Sequence, residues 1–469
     1  MKEIHGMCNQ IWRGESTPEE WIQSVLVTIP KKGDMKDCRN YRTIALMSHV
    51  GKIFMMILLE RLKAQTEEHL ADEQAGFRRD RNTIQQILML RLIAEKAKRK
   101  GKEVYNCFID FEKAFDSVYK DVMWATLKSY GVGKRLTEIL KDIGERSRMA
   151  VRIGQDIGEW FEMSVGTKQG DPISPNLFIT LLERVMDKIG DMESGISVNG
   201  IEISNLRFAD DIDLIDEEHE RLQKNTQSLQ IEGIKAGLKI NMKKTKTMVF
   251  GKKESDKKLE IQNQKIENVE QYSYLGSLMT CDNDCSKDIK TRIAKGKGML
   301  ENFKTIWKNK NVSYATKLNI LKTCVFSTML YGCETWTYKK ADKDRILAFE
   351  MYCYRRILGI RWTQKVRNDE VRERLNVKEN LMEVIIKRKL ALFGHICRMD
   401  DSRKIKTVVF GMMNGKTKRG RPSREWLDDI EEWCGKDVHR LSLEAQDRLK
   451  WRNVIGAALD TYGQCAHGF

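Results

Sequence analysis

Several features that mark other protein classes are scarce in this 469-residue sequence. It has only 5 prolines and no low-complexity tract, which excludes a collagen-like or largely disordered chain. No uncharged apolar run approaches the roughly 18 residues that a membrane span needs, and the N-terminal stretch lacks the apolar core of a secretory signal. The sequence therefore predicts an intracellular globular protein of two or three domains, not secreted and with no membrane partner.

A disulfide framework and a zinc site are also not predicted. The 11 cysteines are scattered and odd in number. Cys281 and Cys285 lie four residues apart, but no second pair of Cys or His follows at the spacing of a zinc site. We interpret the cysteines as reduced, mostly buried thiols.

Positive charge is in excess, because 83 Lys and Arg against 67 Asp and Glu leave a formal charge of +16. This balance favours a phosphate-rich partner without proving one. Residues 286–340 hold 12 basic and 3 acidic residues, with apolar residues at helical spacing between them. The pattern is typical of basic helices along a nucleic-acid duplex, and equally of a solvated helix face. Residues 419–422 are interpreted as a solvated basic loop rather than a minor-groove hook.

Two adjacent carboxylates interrupt a strand-like pattern in the segment RFADDIDLI (207–215). Asp210 and Asp211 have alternating apolar and polar residues on both sides, which predicts two short strands that meet at a tight turn. Adjacent charges destabilise a half-buried strand unless a partner compensates them. The Asp pairs at 400–401 and 428–429 lie in highly charged surroundings and are interpreted as solvated. For Asp210 and Asp211, an acidic hairpin tip and a functional site both remain open.

A third carboxylate lies about a hundred residues earlier, in VYNCFIDFEKAFDSV (104–118). Asp110 lies near the end of an apolar strand, where a carboxylate is costly unless it faces a cation. A strand-end Asp with a turn-borne Asp pair can hold two divalent metals for phosphoryl displacement, and hard oxygen ligands suit Mg²⁺. The alternative is a helix N-cap, a role that Asp116 fits better. Between the acids, VGTKQGDPISPNLF places Gly and Pro before an amphipathic helix from about Ser174.

Five segments in this order, FIDFEKAFDSV, KQGDPISPNLF, FADDIDL, GLKINMKKTKTMVF and YLG, resemble reverse transcriptases of non-LTR (LINE-type) retrotransposons. The resemblance is strongest to the lineage that encodes an apurinic-type endonuclease before the polymerase. It implies an α/β (α+β) right-hand polymerase with fingers and palm at 12–276, the palm an antiparallel sheet plus helices. A helical basic thumb would follow at 277–340, and a helical basic C-terminal region at 341–469. No endonuclease precedes the fingers, so we expect a truncated reading frame or a partial gene model.

The resemblance also assigns roles to individual residues. Asp110, Asp210 and Asp211 match the catalytic triad, which with the backbone carbonyl of Phe111 would bind two Mg²⁺ ions. Phe115 matches the aromatic residue that excludes a ribose 2′-hydroxyl, and Lys244 matches a lysine that protonates pyrophosphate. The implied nucleotide-binding residues are Lys31, Arg42, Arg78, Phe115, Gln169, Gly170 and Lys244. The basic residues expected to bind nucleic acid are Lys287, Lys290, Arg292, Lys295, Lys297 and Lys304.

The function implied by the resemblance is that of an RNA-directed DNA polymerase, a nucleotidyltransferase that extends a primer 3′-hydroxyl with dNTPs as part of a transposable element. The implied partners are an RNA template, a DNA primer, dNTPs and chromosomal target DNA. The implied location is the nucleus, after synthesis in the cytoplasm. A catalytically inactive, nucleic-acid-binding remnant of a decayed element is an alternative. A group II intron maturase is a third, for which we identify no splicing domain after the thumb.

Overall fold

The computed structural model describes residues 2–31, 33–189, 195–251, 258–420 and 423–466. The basic loop predicted at 419–422 lies partly outside these ranges. No helix within them is long and apolar enough to cross a membrane. Strands and helices are mixed along the first 280 residues, and the elements that follow in the described part of the chain are helices.

Five strands form the central sheet of the molecule. Their spatial order is Glu267–Asn268, Lys246–Phe250, Val104–Ile109, Asp211–Asp216 and Asn205–Phe208. Neighbouring strands are antiparallel, except that the first two are parallel. Ile212 pairs with Ile109, so continuing the register by one residue places Asp211 opposite Asp110. The predicted strand and the predicted hairpin are therefore neighbours in one sheet.

Both faces of the central sheet are covered by apolar side chains. Phe108 belongs to a cluster that contains the helix Thr83–Lys100 and most of the chain after residue 277. Cys107 and Ile109 belong to a second cluster, with the helix Ser174–Asp187. Successive residues of a strand point to opposite faces, which explains the division. Packing on both sides makes the sheet a rigid base for groups at its strand ends.

A second sheet, the N-terminal sheet, lies beside the central one and contains strands Ser24–Pro30, Tyr41–Met47, Arg148–Ile153, Asp156–Ile157 and Phe161–Glu162. Ser24–Pro30 pairs antiparallel with Tyr41–Met47 and parallel with Arg148–Ile153. Short hairpins complete the strands: Ile196–Val198 with Ile201–Ile203, Glu260–Ile261 with Gln264–Lys265, and Gln271–Tyr274 with Ser277–Thr280.

Helices of the first half follow the predicted pattern. The sequence predicts helices near 49–70, 83–100 and 174–190, and all three are present as His49–Thr66, Thr83–Lys100 and Ser174–Asp187. Side chains of Ser48 and Asn82 accept hydrogen bonds from the first turns of the first two. The others are Lys2–Arg13, Glu19–Ile22, Ala114–Ser117, Lys120–Ser129, Lys134–Arg146 and His219–Lys235.

The second half is helical. Its helices are Cys285–Asn302, Lys304–Lys308, Tyr314–Ile320, Ser327–Met329, Lys340–Leu358, Asn368–Arg374, Leu381–Cys397, Lys404–Phe410, Trp426–Cys434, Val438–Glu444 and Arg448–Ala466, with a π-helical turn at Leu321–Phe326. Arg91 of the first half forms a buried ion pair with Asp288, 2.9 Å from Nη2 to Oδ2. This ion pair attaches the helix Cys285–Asn302 to the helix Thr83–Lys100. Both helices also pack in the apolar cluster that covers one face of the central sheet.

A buried ion pair organises the C-terminal helices. Lys389 Nζ lies 2.6 Å from Asp429 Oδ2, and neither side chain is exposed to solvent. The rings of Tyr338, Trp426 and Trp433 surround the ammonium group. The prediction that the 428–429 pair is solvated is therefore wrong for Asp429, because its cation is supplied by a helix forty residues away.

Candidate active site

The three predicted carboxylates meet at one edge of the central sheet. Asp110 follows the strand Val104–Ile109. Asp210 lies in the turn at residues 209–210 that joins the strands Asn205–Phe208 and Asp211–Asp216, and Asp211 is the first residue of the second of these strands. Ala209 adopts a positive φ of 58°, which closes this turn in the tight form that the alternating sequence predicted. Asp211 is the most solvent-exposed of the three, although protein atoms partly enclose its carboxylate, and Asp110 and Asp210 are half-buried.

The turn that carries Asp210 is held by a buried glutamine from a distant loop. Gln74 Oε1 accepts hydrogen bonds from the Ala209 amide at 2.9 Å and the Gly76 amide at 2.8 Å. A Cβ on Gly76 would lie 2.4 Å from Ala209 N, so only glycine permits this approach. The contacts orient the backbone from which Asp210 and Asp211 project.

A lysine lies against the first carboxylate. Lys244 Nζ is 3.2 Å from Asp110 Oδ1 and 3.4 Å from Oδ2. The loop that carries this lysine is anchored to the strand end, because the Asn241 amide donates to Asp110 O at 2.7 Å. Thr245 Oγ1 accepts from the Asp110 amide at 3.3 Å. Backbone and side chain of Asp110 are thus both tied to residues 241–245.

The carboxylates at this edge influence one another's pKa values. Burial, then the charge of Asp110, raises the pKa of Asp210 above its ordinary value, against the opposing effect of Arg42 and Lys244. Burial and the charges of Asp210 and Asp110 raise the pKa of Asp211 to about 6, while Lys244 lowers it. Mutual repulsion between these carboxylates means that a cation at this edge is electrostatically favoured.

Three of the residues predicted to surround a nucleotide, Phe115, Gln169 and Gly170, lie on a short helix and on the loop before the helix Ser174–Asp187. Phe115, in the helix Ala114–Ser117, stacks on Phe178 with ring centroids 4.4 Å apart. The carbonyl of Gln169 accepts from the Ala45 amide at 2.7 Å, which ties that loop to the N-terminal sheet. Gly170 has a φ of +109°, and a Cβ there would lie 2.8 Å from Ala45 O.

Basic residues of the N-terminal sheet face the acidic edge. Arg42, paired with Ile29 in that sheet, lowers the pKa of Asp210 through its charge. Lys31 follows the neighbouring strand and acts in the same direction on Asp116. Arg42 thus acts on Asp210 and Lys31 on Asp116, while Lys244 contacts Asp110 directly.

With this geometry in place, the comparisons with known proteins identify the family. A family model described as reverse transcriptase (RNA-dependent DNA polymerase) matches residues 29–279, more than half of the chain. The chain belongs to the reverse transcriptase family. Its fold is accordingly the right-hand polymerase fold, and the central sheet that carries the carboxylates is its mainly antiparallel palm sheet.

Its relatives are proteins of non-LTR retrotransposons. The chain is 24% identical over 387 residues to the RNA-directed DNA polymerase from mobile element jockey of Drosophila funebris, covering 77% of this chain and 40% of that protein. It is 25% identical to the Pol polyprotein of the type-1 retrotransposable element R2 of Nasonia vitripennis, covering 58% of this chain and 27% of that protein. A Candida tropicalis telomerase structure with a telomeric RNA fragment has a TM-score of 0.43 and 13% identity, covering 87% of this chain and 67% of that one.

Reverse transcriptases use divalent metal ions. The carboxylates at this edge of the central sheet supply part of the ligands that such an ion needs. Within the described ranges, no three His, Cys, Asp or Glu side chains converge to form a complete metal site. Mg²⁺ is commonly held by one or two carboxylates with substrate phosphates and water as the other ligands. The carboxylates of Asp110, Asp210 and Asp211 supply oxygen atoms as ligands. The pKa values of Asp210 and Asp211 are raised, so a bound cation would stabilise their charged forms. The residues therefore fit a metal that shares its ligands with substrate.

Two predicted site residues have other partners in this reverse transcriptase. Arg78 was predicted to bind nucleotide, but its side chain is 4% exposed and its Nη2 lies 2.7 Å from Glu67. Arg292 was predicted to bind nucleic acid, but it is buried, bonds to the Gly276 carbonyl and stacks on the Tyr331 ring at 4.5 Å. Both guanidinium groups are used inside the protein and are not available to phosphate.

Asp116 also departs from its predicted role as a helix cap. It lies inside the short helix Ala114–Ser117, and the next helix starts at Lys120 with Tyr119 at the N-cap position. Burial raises its pKa, and the charges of Lys113 and Lys31 oppose that effect. The sequence predicted one helix after residue 116, but the structure has a short helix at Ala114–Ser117 and a separate one at Lys120–Ser129.

The remaining predicted thumb residues are exposed. Lys287, Lys290, Lys295, Lys297 and Lys304 all have exposed side chains. Lys290 and Lys297 line a cleft of about 430 Å³ with Arg345 and Tyr352 of the helix Lys340–Leu358. Lys297 Nζ lies 5.6 Å from the centroid of the Tyr352 ring. The structure thus gathers two of the predicted lysines in a basic, aromatic cleft and leaves the other three on open surface.

Sequence reasoning missed two residues beside the carboxylates. Gln74 was given no role from the sequence, because its contact with Ala209 depends on the folded loop. Tyr272 belongs to the segment that ends in YLG and stacks on Phe108 at 4.1 Å. Burial, and then the charges of Asp211 and Asp110, raise the pKa of Tyr272 above its ordinary value. Neither residue type signalled a role by itself.

Proposed function

We propose that this chain is an RNA-directed DNA polymerase that extends a primer 3′-hydroxyl with dNTPs, using two divalent metal ions, Mg²⁺ by preference. The observation that supports this most directly is the meeting of Asp110, Asp210 and Asp211 at one edge of the palm sheet, with Lys244 and Arg42 beside them. We propose domains as the sequence indicated, with fingers and palm at 12–276, thumb at 277–340 and the C-terminal region at 341–469.

In the proposed reaction, the primer 3′-oxygen attacks the α-phosphorus of a dNTP, and the bond to pyrophosphate breaks. Asp110, Asp210, Asp211 and the Phe111 carbonyl would hold the metal ions, which when bound lower the pKa of the attacking hydroxyl and neutralise phosphate charge. Lys244 donates a proton to the departing pyrophosphate. The primer hydroxyl proton passes to water or to a carboxylate.

The other residues of the site bind and select the nucleotide. Lys31 and Arg42 direct positive charge at the triphosphate from the fingers side. Phe115 lies beneath the sugar and leaves no room for a 2′-hydroxyl. Gln169 and Gly170, held against Ala45, contact the incoming nucleotide and the templating base.

An RNA template and a DNA primer are the proposed macromolecular partners, with chromosomal DNA as the target. The exposed lysines of the helix Cys285–Asn302 would contact the phosphate backbone, and the formal charge of +16 suits such a partner. We propose a nuclear location after synthesis in the cytoplasm, which fluorescence microscopy of the tagged chain tests.

A primer-extension assay tests the function. Purified protein with poly(rA)/oligo(dT), dTTP and Mg²⁺ is expected to incorporate label, and Asp110→Asn and Asp210→Asn are expected to abolish incorporation. Asp401→Asn is a matched control, because that exposed aspartate also belongs to an Asp pair and forms its ion pair with Lys406. Equal incorporation by wild type and both active-site variants would contradict the proposal. Tight, salt-dependent binding of primed RNA without incorporation would instead favour the inactive remnant.

A further inference from the structure

The loop that holds the catalytic turn is paired with the edge of the palm sheet. Gln74 forms a parallel bridge with Arg207 of the strand Asn205–Phe208. The Ala75 amide donates to Arg207 O at 2.9 Å, and the Arg207 amide donates to Glu73 O at 3.0 Å. Residues 73–76 therefore act as a short additional strand, and a shift of this loop would move the turn at Ala209.

Two acidic residues at the start of this loop are bound by residues more than 300 positions later. Arg403 Nε lies 2.9 Å from Asp72 Oδ1, and the Lys404 amide donates to Asp72 Oδ2 at 2.7 Å. The Lys404 ammonium group forms an ion pair with Glu73 and donates to the Glu202 carbonyl at 2.9 Å. These contacts come from the first turn of the helix Lys404–Phe410 in the C-terminal region.

The contacts are largely shielded from solvent. The Glu73 side chain is 10% exposed and that of Lys404 is 21% exposed. Within the ranges that the structure describes, Lys404 is the cation paired with Glu73, whereas Asp72 also has Arg81. Partly buried pairs are screened less than surface pairs, and loss of one partner leaves the other charge unsatisfied. Glu73 therefore depends on the C-terminal region for its compensating charge.

We propose that Arg403 and Lys404 are positioning residues for the catalytic aspartates, acting through Asp72 and Glu73 on the Gln74 loop and the Ala209 turn. The inference rests on the proposed polymerase function of this site. It makes the C-terminal region a part of the catalytic apparatus, because that region fixes the backbone from which Asp210 and Asp211 project. Small displacements of reacting groups have large effects on rate, so loss of this support lowers turnover more than substrate affinity.

A double-mutant cycle across the Lys404–Glu73 pair tests the proposal. Lys404→Met removes the ammonium group and keeps most of the aliphatic stem, and Glu73→Gln removes the opposing charge. Each single variant is expected to lower kcat for single-nucleotide incorporation by about 5- to 20-fold, and the double variant no further. The KM for dNTP is expected to stay within about twofold, and Lys404→Arg to restore kcat.

Amide hydrogen exchange supplies a readout that does not require activity. In full-length Lys404→Met, exchange of the peptide that covers 205–211 is expected to accelerate about 5- to 20-fold, and more than exchange of the strand Lys246–Phe250 in the same sheet. Lys406→Met is the matched control, because Lys406 lies in the same helix but pairs with Asp401, 2.6 Å away, and not with the loop.

The outcomes separate the inference from the proposed function. Unchanged kcat and exchange in Lys404→Met, additive losses in the double variant, or an equal effect of Lys406→Met would each overturn the positioning role. A loss of activity with exchange accelerated equally in peptide 205–211 and in the strand Lys246–Phe250 would also overturn it, because that pattern reports general destabilisation of the sheet. If wild type incorporates no nucleotide, the polymerase function fails, and the exchange of peptide 205–211 alone decides whether the contact holds the turn.

Discussion

The ammonium group of Lys244 lies 3.2 Å from Asp110 Oδ1, although the two residues are 134 positions apart. The contact places a proton donor and a positive charge directly beside this carboxylate. The side chains of Lys243 and Lys244 are both exposed, so the contact with Asp110 is what distinguishes Lys244 from its neighbour. Two roles are proposed for Lys244, neutralising Asp110 and protonating the leaving pyrophosphate, and they can be separated by mutation.

Lys244→Ala is expected to lower kcat by about 100-fold, at the lower end of what a general acid contributes. Lys244→Arg keeps the charge but releases a proton poorly, so it should recover binding and little of kcat. Single-turnover incorporation measures both. Lys243→Ala is the control. An equal loss of kcat in that variant would show that the positive charge of the loop, and not Lys244 itself, is responsible.

Replacement of Phe115 is expected to change the choice of sugar. If its ring lies beneath the ribose, Phe115→Val should reduce discrimination against rNTPs by about 1–3 kcal/mol, roughly 10- to 200-fold. The ring also stacks on Phe178, so a purely structural role would lower Tm and leave selectivity unchanged. Phe178→Leu disrupts the same stack from the other side, and a matching change in rNTP use in that variant would contradict selection by Phe115.

The cleft that contains Lys290 and Lys297 is expected to contact phosphate. The double variant Lys290→Gln/Lys297→Gln should weaken binding of a primed RNA template and reduce the slope of log K against log salt by about 1.5 to 2. Lys134→Gln/Lys141→Gln removes the same charge from a helix elsewhere and is the control. Filter binding from low to high salt measures the affinity and the slope for each protein. A slope of the cleft variant equal to that of wild type would show that the cleft does not contact the nucleic acid.

Glu95 is expected to make stability depend on pH. Burial and the charge of Glu425 raise its pKa from 4.5 to about 8 in the folded protein. The folded state therefore binds more protons than the unfolded state between about pH 4.5 and 8, so the free energy of unfolding falls as pH rises through this window. The decrease is on the order of 3 kcal/mol. Glu95→Gln should flatten this dependence in urea titrations at pH 5 and pH 8, and a dependence equal to that of wild type would contradict the assignment.

Local patterns in the sequence determined the palm strands, the main helices and the three carboxylates. Strand alternation around Asp110 and Asp211, and caps such as Asn82, act over a few residues, so they can be read without the fold. The order of the motifs was enough to indicate the family. For these features, local chemistry and tertiary structure agree.

Only the tertiary structure decided which charged residues face the site and which face inward. Arg78 and Arg292 look like phosphate ligands in sequence, but Glu67 and the Gly276 carbonyl occupy them. Lys404 looks like one surface lysine among many, yet it pairs with Glu73 beside the catalytic turn. The physical reason is that a charge finds its partner across hundreds of residues, and the same side chain is equally compatible with solvent, a ligand or a buried ion pair until the chain is folded.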